Sequence, residues 1–534
     1  MTEQTIDYVR AHGRSDGSAL TERPDPQRYL DLADKTAQQC DRLLSILSPT
    51  AAISAWMTAP PKVLDTLHEY GMLVRFRWTL GVSASGDSHD PAVLALYLRR
   101  AGRWWAATLL ADRYQTYDDG VSFSVASTSV REFLNRTSAQ VIRYHWASRL
   151  IAMEIGRQIE ADNEFATLLP DFTSKNIERC FESATRYASL LFAPAIAIDA
   201  PGMELARHMA IGAGTLCGQK FVTTATSIQM ESRPWVIYAD GLVPIATSNV
   251  LLSLDRALLA AVDEQLRRAG RTVPAKVTKG ELFERVAQQC VSRCLTTISS
   301  QEVRRPYEVK VGGRKRDVDL AIINGTVQII GETKAMEIPS GIGSAAASFQ
   351  TQIGQIYDQI KVRLDALDQG TPVIDGAGDT YQTDADIIGL GVVLHPYSAS
   401  LADPEMLKVL DLAGEDSRIA VAELHSWVLV LSAIGSIDDL RDYLRFRAFA
   451  SRTRVRFSEE CDCALVYFSS ERDRLIAEFQ AGHDASEPHE GYHGFMIGQC
   501  ISIEAAIDTT RPTNWSRWRR QFVAHAESVG NPFI

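Results

Sequence analysis

Cysteine is scarce in this chain, with eight among 534 residues. That is too few, and too unevenly placed, for a disulfide framework, so a reduced and by default cytoplasmic protein is expected. Long apolar runs are missing as well. The longest, around Leu190–Ile198, is about half of the roughly 18 residues that a membrane span needs. The opening MTEQTIDYVRAHGRSDG is polar and mixed in charge, without the apolar core of a secretory signal. Positive charge is in deficit, 55 Lys and Arg against 66 Asp and Glu, for a net charge of −11. A chain that is basic all over and coats nucleic acid is thereby excluded, although a local basic groove is not. Neither an internal repeat at solenoid period nor a low-complexity tract is present. What remains, 46% apolar and 23% charged, is ordinary globular composition, and the length predicts about two to four domains.

Residues 1–25 read as a polar tail closed by Pro24 and Pro26. From 26 to 272 the pattern is mainly helical, with apolar spacings of three and four at Tyr29, Leu30 and Leu32, at Leu43–Leu47 and over Val141–Ile159. Val121–Val130 and Trp235–Ala239 read as short strands. RTVPAKVTKG breaks the helical pattern near Gly270–Lys279, and the character then changes. Thr278-x-x-Glu281 is a capping box opening a helix with Phe283, Val286, Ala287, Cys290 and Cys294 on its apolar side. Three strand-like runs follow: Tyr307–Val311, Asp317–Ile323 and Thr326–Thr333. A long amphipathic helix, Ala345–Leu367, and a wholly apolar strand, Ile387–Leu394, come next. Beyond residue 400, Ile419–Leu424 and Trp427–Ile434 read as strands, and Ser436-x-x-Asp439 caps a further helix.

Asn324-Gly325 between two alternating apolar runs is the strongest short-range hairpin signal available. A two-residue turn sets Ile323 against Thr326, Asp319 against Ile330 and Asp317 against Glu332. Because side chains alternate along a strand, Asp317, Asp319, Glu332 and Lys334 would then share one face. Leu320, Ile322, Val327 and Ile329 would fill the other. Like charges about 4 Å apart cost roughly 1–4 kcal/mol per pair, a cost that a bound cation relieves. Carboxylate oxygens suit hard Mg²⁺ or Mn²⁺, and such an ion polarises a phosphoryl oxygen and lowers the pKa of its water. Lys334 would orient that water or stabilise charge on phosphorus, and Glu284 on the capped helix could complete the ligand set.

DVDLAIINGTVQIIGETK resembles the Asp…Glu-x-Lys signature of the PD-(D/E)XK, or restriction-endonuclease-like, nucleases. The resemblance covers about residues 280–395. It implies an α/β fold with a restriction-endonuclease-like αβββαβ core, here within residues 273–400, a mainly helical N-terminal region and an α/β extension over 401–534 packed on the core. Matched motif to motif, Asp319 and Glu332 would be metal ligands and Lys334 the catalytic lysine. Gly280-x-x-Phe283-Glu284 is similar to the opening-helix motif of many members, which would make Glu284 the helix-borne acid. The position before Asp319 is Val318 rather than Pro. The Gln-x-x-x-Tyr spacing of one branch is also absent, since Tyr357 lies five residues after Gln352. The other reading of Asp317, Asp319, Glu332 and Lys334 is a solvated hairpin face with cross-strand salt bridges. Glu284 is equally readable as an ordinary helix-edge acid, and Gln352 and Gln355 as solvated helix residues. Glu308-Val309-Lys310 has the same Glu-x-Lys spacing but no aspartate on a hairpin partner.

Residues 304–316 hold Arg304, Arg305, Lys310, Arg314, Lys315 and Arg316 against Glu308. That is +5 within 13 residues, so the rest of this −11 chain carries −16. Arg314, Lys315 and Arg316 run straight into the Asp319 strand, where a phosphate backbone would pass; solvated turn residues are the plainer alternative. In RPTNWSRWRR, Trp515, Trp518 and Phe522 fall at helical spacing and favour a docked helix over base stacking. Cys461, Cys463, His483, His489, His493 and Cys500 lack zinc-site spacing. Gly212–Lys220 misses the phosphate-loop pattern, and His145, His208 and His395 have no nucleophile at a recognisable spacing.

The function that follows is Mg²⁺- or Mn²⁺-dependent hydrolysis of phosphodiester bonds in nucleic acid. DNA is favoured over RNA because the resembled superfamily mostly cuts DNA. Large bacterial proteins that join this core to a long helical region often act in defence against foreign DNA, an association at the level of fold. The competing class is a catalytically inactive nuclease fold that binds nucleic acid or protein. For the N-terminal region, a protein partner and self-association both stay open.

Overall fold

The computed structural model describes residues 25–53, 70–115, 138–188, 203–295, 306–335, 342–394 and 418–468, apart from a few single or paired positions, with short pieces as far as residue 497. The strand reading at Val121–Val130, the basic pair Arg304 and Arg305, and the Trp515–Trp518 segment lie outside these residues. So do His395, His483, His489, His493 and Cys500. The chain is mixed α/β and divides into two compact units, residues 1–279 with 339–345, and residues 280–338 with 346–534. No described helix is long and apolar enough to cross a membrane.

The first unit is mainly helical. Helix α1 (Pro26–Leu44) starts on a proline whose fixed φ suits a first turn, and the Asp25 carboxylate accepts from the Gln27 N–H at 2.9 Å. Its stripe of Ala33, Ala37, Cys40, Leu43 and Leu44 is buried. Helix α2 (Tyr70–Ser83) is apolar nearly all round, apart from Arg75 and Arg77. Both are buried, and both reach carbonyls: Arg77 Nε donates to Ala52 at 2.6 Å and Arg75 Nη1 to Ser227 at 2.9 Å. Buried guanidinium groups persist when paired in this way.

Helix α3 (Pro91–Gln115) packs along α1, and α4 (Ser138–Glu160) matches the helix read at Val141–Ile159. Helix α5 (Ser174–Ala188) lies against α4. Strand β1 (Ala210–Gly212) leads to the short helix α6 (Phe221–Ala225). There Phe221 sits edge-on to Trp104 and Tyr97, ring centroids 5.1 and 6.2 Å away. Strands β2 (Trp235–Tyr238) and β3 (Gly241–Pro244) complete a sheet of order β1-β2-β3. Helix α7 (Thr247–Arg268) packs on α4 and α5.

The second unit carries the candidate site. Helix α8 (Lys279–Cys294) buries Leu282, Phe283, Val286, Ala287, Cys290, Val291 and Cys294, the apolar side that the sequence predicts. Strands β4 (Tyr307–Val311) and β5 (Arg314–Val318) form a hairpin. Its turn places Gly312 and Gly313 at φ 55° and 79°, and a type I′ turn needs positive φ at both central residues.

The chain then bends at Asp319. Strand β6 (Leu320–Asn324) leaves the sheet of β5 and pairs with β7 (Thr326–Lys334). The single strand expected over Asp317–Ile323 is therefore two strands in two sheets. Helix α9 (Ile342–Asp368) follows, then β8 (Val373–Ile374), β9 (Thr380–Tyr381) and β10 (Thr383–Val393). Strand β11 (Ile419–Glu423) closes the series. One sheet has the order β11-β10-β7-β6, with β10 parallel to both β7 and β11; the other has the order β5-β4-β8-β9.

Three expectations need correction. Trp427–Ile434 is not a strand but lies largely in helix α10 (Leu424–Ser432), which starts directly after β11. A short run that is apolar but for Ser432 has no face to mark its period, and Trp427 is buried with its indole N–H donating to the Gly391 carbonyl at 2.8 Å. The hairpin register also differs. Asn324 pairs with Thr326 and Ile323 with Val327, and Gln328 is then an extra residue on β7, so Ile322 meets Ile329 and Leu320 meets Gly331. A bulge of this kind shifts everything beyond it. Finally, Asp317 does not share a face with Glu332. It lies in β5, exposed, opposite Glu308.

Helix α9 lies close against the sheet because β10 offers it glycines. A Cβ on Gly389 would fall 2.4 Å from Ile360 Cγ2, and one on Gly391 would fall 2.7 Å from Ile356 Cγ2. Helix α11 (Ile437–Arg452) starts where Ser436 Oγ accepts from the Asp439 N–H at 3.1 Å, the cap read from the sequence. It is tied to α12 (Glu460–Tyr467), with Arg447 Nε 2.8 Å from Glu460 Oε2.

Candidate active site

The site is built on the end of β7. From Ile329 to Thr333 every residue of this strand is buried, because β6 flanks it on one edge and β10 on the other. Glu332 is therefore a carboxylate only 3% exposed. A buried charge needs partners, and two cations supply them. Lys334 Nζ donates to Glu332 Oε1 at 2.8 Å, and Arg363 Nη1 stands 3.1 Å from Oε2. The second contact is an ion pair without hydrogen-bond geometry, for Glu332 Oε2 and Arg363 Nε are both buried and unbonded.

Asp319 occupies the bend between β5 and β6. Its Oδ2 accepts from the Thr333 N–H at 2.8 Å and from the Thr333 hydroxyl at 3.1 Å. Two one-residue departures make this possible, the turn that pairs Asn324 with Thr326 and the bulge at Gln328: together they move Asp319 from the expected position beside Ile330 to one beside Glu332 and Thr333. Burial, and next the neighbouring Asp319 carboxylate, push the Glu332 carboxyl above the usual range, while Arg363 and Lys334 pull it back. Two acids and two bases thus meet where the bend in the β5–β6 chain reaches the last residues of β7.

Asp319, Glu332 and Lys334 are brought together. Glu284 is half-buried on α8. Among the described residues no group of three or more His, Cys, Asp or Glu side chains is arranged to hold a metal ion. Gln352 is half-buried and Gln355 exposed on α9. Arg314, Lys315 and Arg316 line β5, exposed, and lead directly to Asp319; Lys315 is ion-paired to Glu308. Cys290 is buried in the core, which pushes its thiol up to about 12. His208 is held by Asp171 at 2.9 Å and by Gln265 at 3.1 Å, a packing role in the first unit.

Two residues of the site are not specified by the sequence motif. Arg363 carries a signal, being an arginine on the inward stripe of α9 between Ile360 and Leu367. Thr333 carries none, because its role depends on a bend and a bulge. Comparison with protein-family models, with curated proteins and with solved structures gives no match.

Proposed function

We propose that this chain is a metal-dependent nuclease of the PD-(D/E)XK type, hydrolysing phosphodiester bonds of nucleic acid, with DNA as the favoured substrate. The observation that carries the reading is the placement of Asp319, by two hydrogen bonds to Thr333, beside Glu332 and Lys334. The order of elements supports it: helix α8, the antiparallel run through β4, β5–β6 and β7, helix α9, and β10 parallel to β7.

Asp319 and Glu332 offer hard oxygen donors, and the buried Glu332 Oε2 has no hydrogen bond. This donor set fits Mg²⁺ or Mn²⁺ rather than a thiolate-seeking metal. The ion supplies polarisation of a phosphoryl oxygen and a more acidic water. Lys334 Nζ, anchored on Glu332 at 2.8 Å, serves to hydrogen-bond the attacking water and to balance charge growing on the phosphoryl group. Arg314 and Arg316, on the strand that leads to Asp319, would hold the phosphate backbone in place.

Plasmid DNA incubated with the chain in Mg²⁺ or Mn²⁺ should be cleaved, and EDTA should stop the cleavage. Lys334→Ala and Asp319→Ala should each abolish it; activity that survives either substitution overturns the assignment. One observation favours a second reading, an inactive nuclease fold that binds nucleic acid or a protein. Glu332 is already neutralised by Lys334 and Arg363. Tight DNA binding with no cleavage in either metal would decide for it.

A further inference from the structure

We infer that Arg363 is the resident counter-ion of Glu332: it holds the acid pair assembled in the absence of metal, and a divalent cation binds only by displacing it from Glu332 Oε2. The inference rests on the reading of Asp319 and Glu332 as metal ligands.

Charge is the starting point. Asp319, Glu332, Lys334 and Arg363 are two acids and two bases, so the cluster is neutral as it stands. A dication added beside an unmoved Arg363 would crowd three cations, four positive charges in all, around one buried carboxylate. The two cations differ in how they hold Glu332. Lys334 makes a hydrogen bond to Oε1 at 2.8 Å. Arg363 faces Oε2 at 3.1 Å without making one. An arginine that served only to lock a carboxylate would use its two-pronged fork; here its Nε is buried and unbonded. The contact at Oε2 is the replaceable one.

Arg363 also has a second hold. Its Nη2 donates to the Asp317 carbonyl, two residues before Asp319. Giving up Glu332 therefore does not cast the guanidinium loose. Its backbone is fixed independently of the site, since α9 is seated against Gly389 and Gly391 of β10. Arg363 is thus a positioning residue. It ties the bend before Asp319 to the Glu332 strand, and it sets the affinity of the acid pair for a cation.

Mn²⁺ binding to the full chain, read by water-proton relaxation at about pH 8, tests this without reference to activity. Arg363→Met should bind Mn²⁺ about tenfold more tightly than the unaltered chain, because a competing charge has gone. Arg363→Lys should stay within about twofold of it, whereas a residue that only fills space would make both variants alike. Glu332→Gln should lose the Mn²⁺ signal. If the unaltered chain shows no signal that depends on Glu332, the metal-site reading fails and the inference with it. A Glu332-dependent signal that Arg363→Met leaves unchanged or weakens overturns the inference alone.

Should Arg363→Met not fold, the unaltered chain decides. With ¹⁵N-labelled arginine, the Arg363 Nη resonances, identified by their absence in Arg363→Lys, should respond unequally as Mg²⁺ saturates: Nη1, which faces Glu332, should lose protection, while Nη2 on the Asp317 carbonyl keeps it. Protection of Nη1 that persists at saturation overturns the inference.

Discussion

Thr333 donates two hydrogen bonds to one oxygen of Asp319, from its backbone N–H at 2.8 Å and its hydroxyl at 3.1 Å. Asp319 is thereby fixed against the strand that carries Glu332, although it belongs to the bend between two sheets. Thr333→Val keeps the shape and the backbone bond but removes the hydroxyl. The loss of a bond to a charged group predicts a cost of about 1.5 kcal/mol, read as a fall of about 3–5 °C in thermal midpoint. On the proposed nuclease reading, with Asp319 as a metal ligand, cleavage should fall by about tenfold, as is usual when the partner of a ligand is removed. Thr333→Ser should restore both. Full activity in Thr333→Val would show that Asp319 needs no such orientation.

Glu332 predicts a pH dependence of stability. Its carboxyl sits above the ordinary value in the folded chain, through burial first and Asp319 second. The folded chain therefore holds that proton more tightly than the unfolded chain does. The stability so contributed is fully present below the unfolded pKa and is lost as pH rises through the folded one. Glu332→Gln cannot titrate, so the midpoint of the unaltered chain minus that of the variant should decrease as pH rises across that window and be flat beyond it. A difference that grows with pH would mean that Lys334 and Arg363, not burial, govern this carboxylate.

Much of the second unit is written locally. Strand Tyr307–Val311 is read residue for residue, the long helix is read to within three residues at either end, and the order of helix, strands, helix and strand follows from the runs themselves. Asp319, Glu332 and Lys334 stand out as residue types at a spacing. Their geometry does not. The bend at Asp319 arises because β5 pairs with β4 and β6 with β7, a choice made between distant segments. The bulge at Gln328 leaves no mark in the apolar alternation, yet without it Asp319 would stand against Gly331 rather than Glu332. In the helix at Leu424–Ser432, Leu424, Ser426, Trp427, Val428, Val430 and Leu431 are buried, a run too continuous to betray its period.

The glycines of β10 predict a steric effect with a specific remedy. Gly389→Ala would place a Cβ 2.4 Å from Ile360 Cγ2 inside a packed layer. Overpacking of this kind costs about 1–3 kcal/mol. Ile360→Val retains the Cγ2 branch and should not relieve the clash, whereas Ile360→Ala in the same chain should relieve it. A thermal double-mutant cycle should therefore give a coupling of about 1 kcal/mol or more for Gly389→Ala with Ile360→Ala. Simple additivity would show that α9 is not seated on Gly389.

On the proposed function, the basic strand β5 predicts unequal contributions to nucleic-acid binding. Arg314 and Arg316 are exposed, and in the β4–β5 ladder they stand opposite Val311 and Val309. Lys315 is ion-paired with Glu308, so part of its charge is already met within the hairpin. Anisotropy titrations of a labelled DNA duplex at several salt concentrations separate the three. Each phosphate contact removed lowers the slope of log affinity against log salt by about one. Arg314→Gln and Arg316→Gln should each do so, and Lys315→Gln should change the slope least. Glu308→Gln frees Lys315 and should strengthen binding at low salt, with the gain vanishing as salt is raised. If Lys315→Gln has the largest effect of the three, the lysine releases Glu308 on binding, and the hairpin meets the phosphates through its other face.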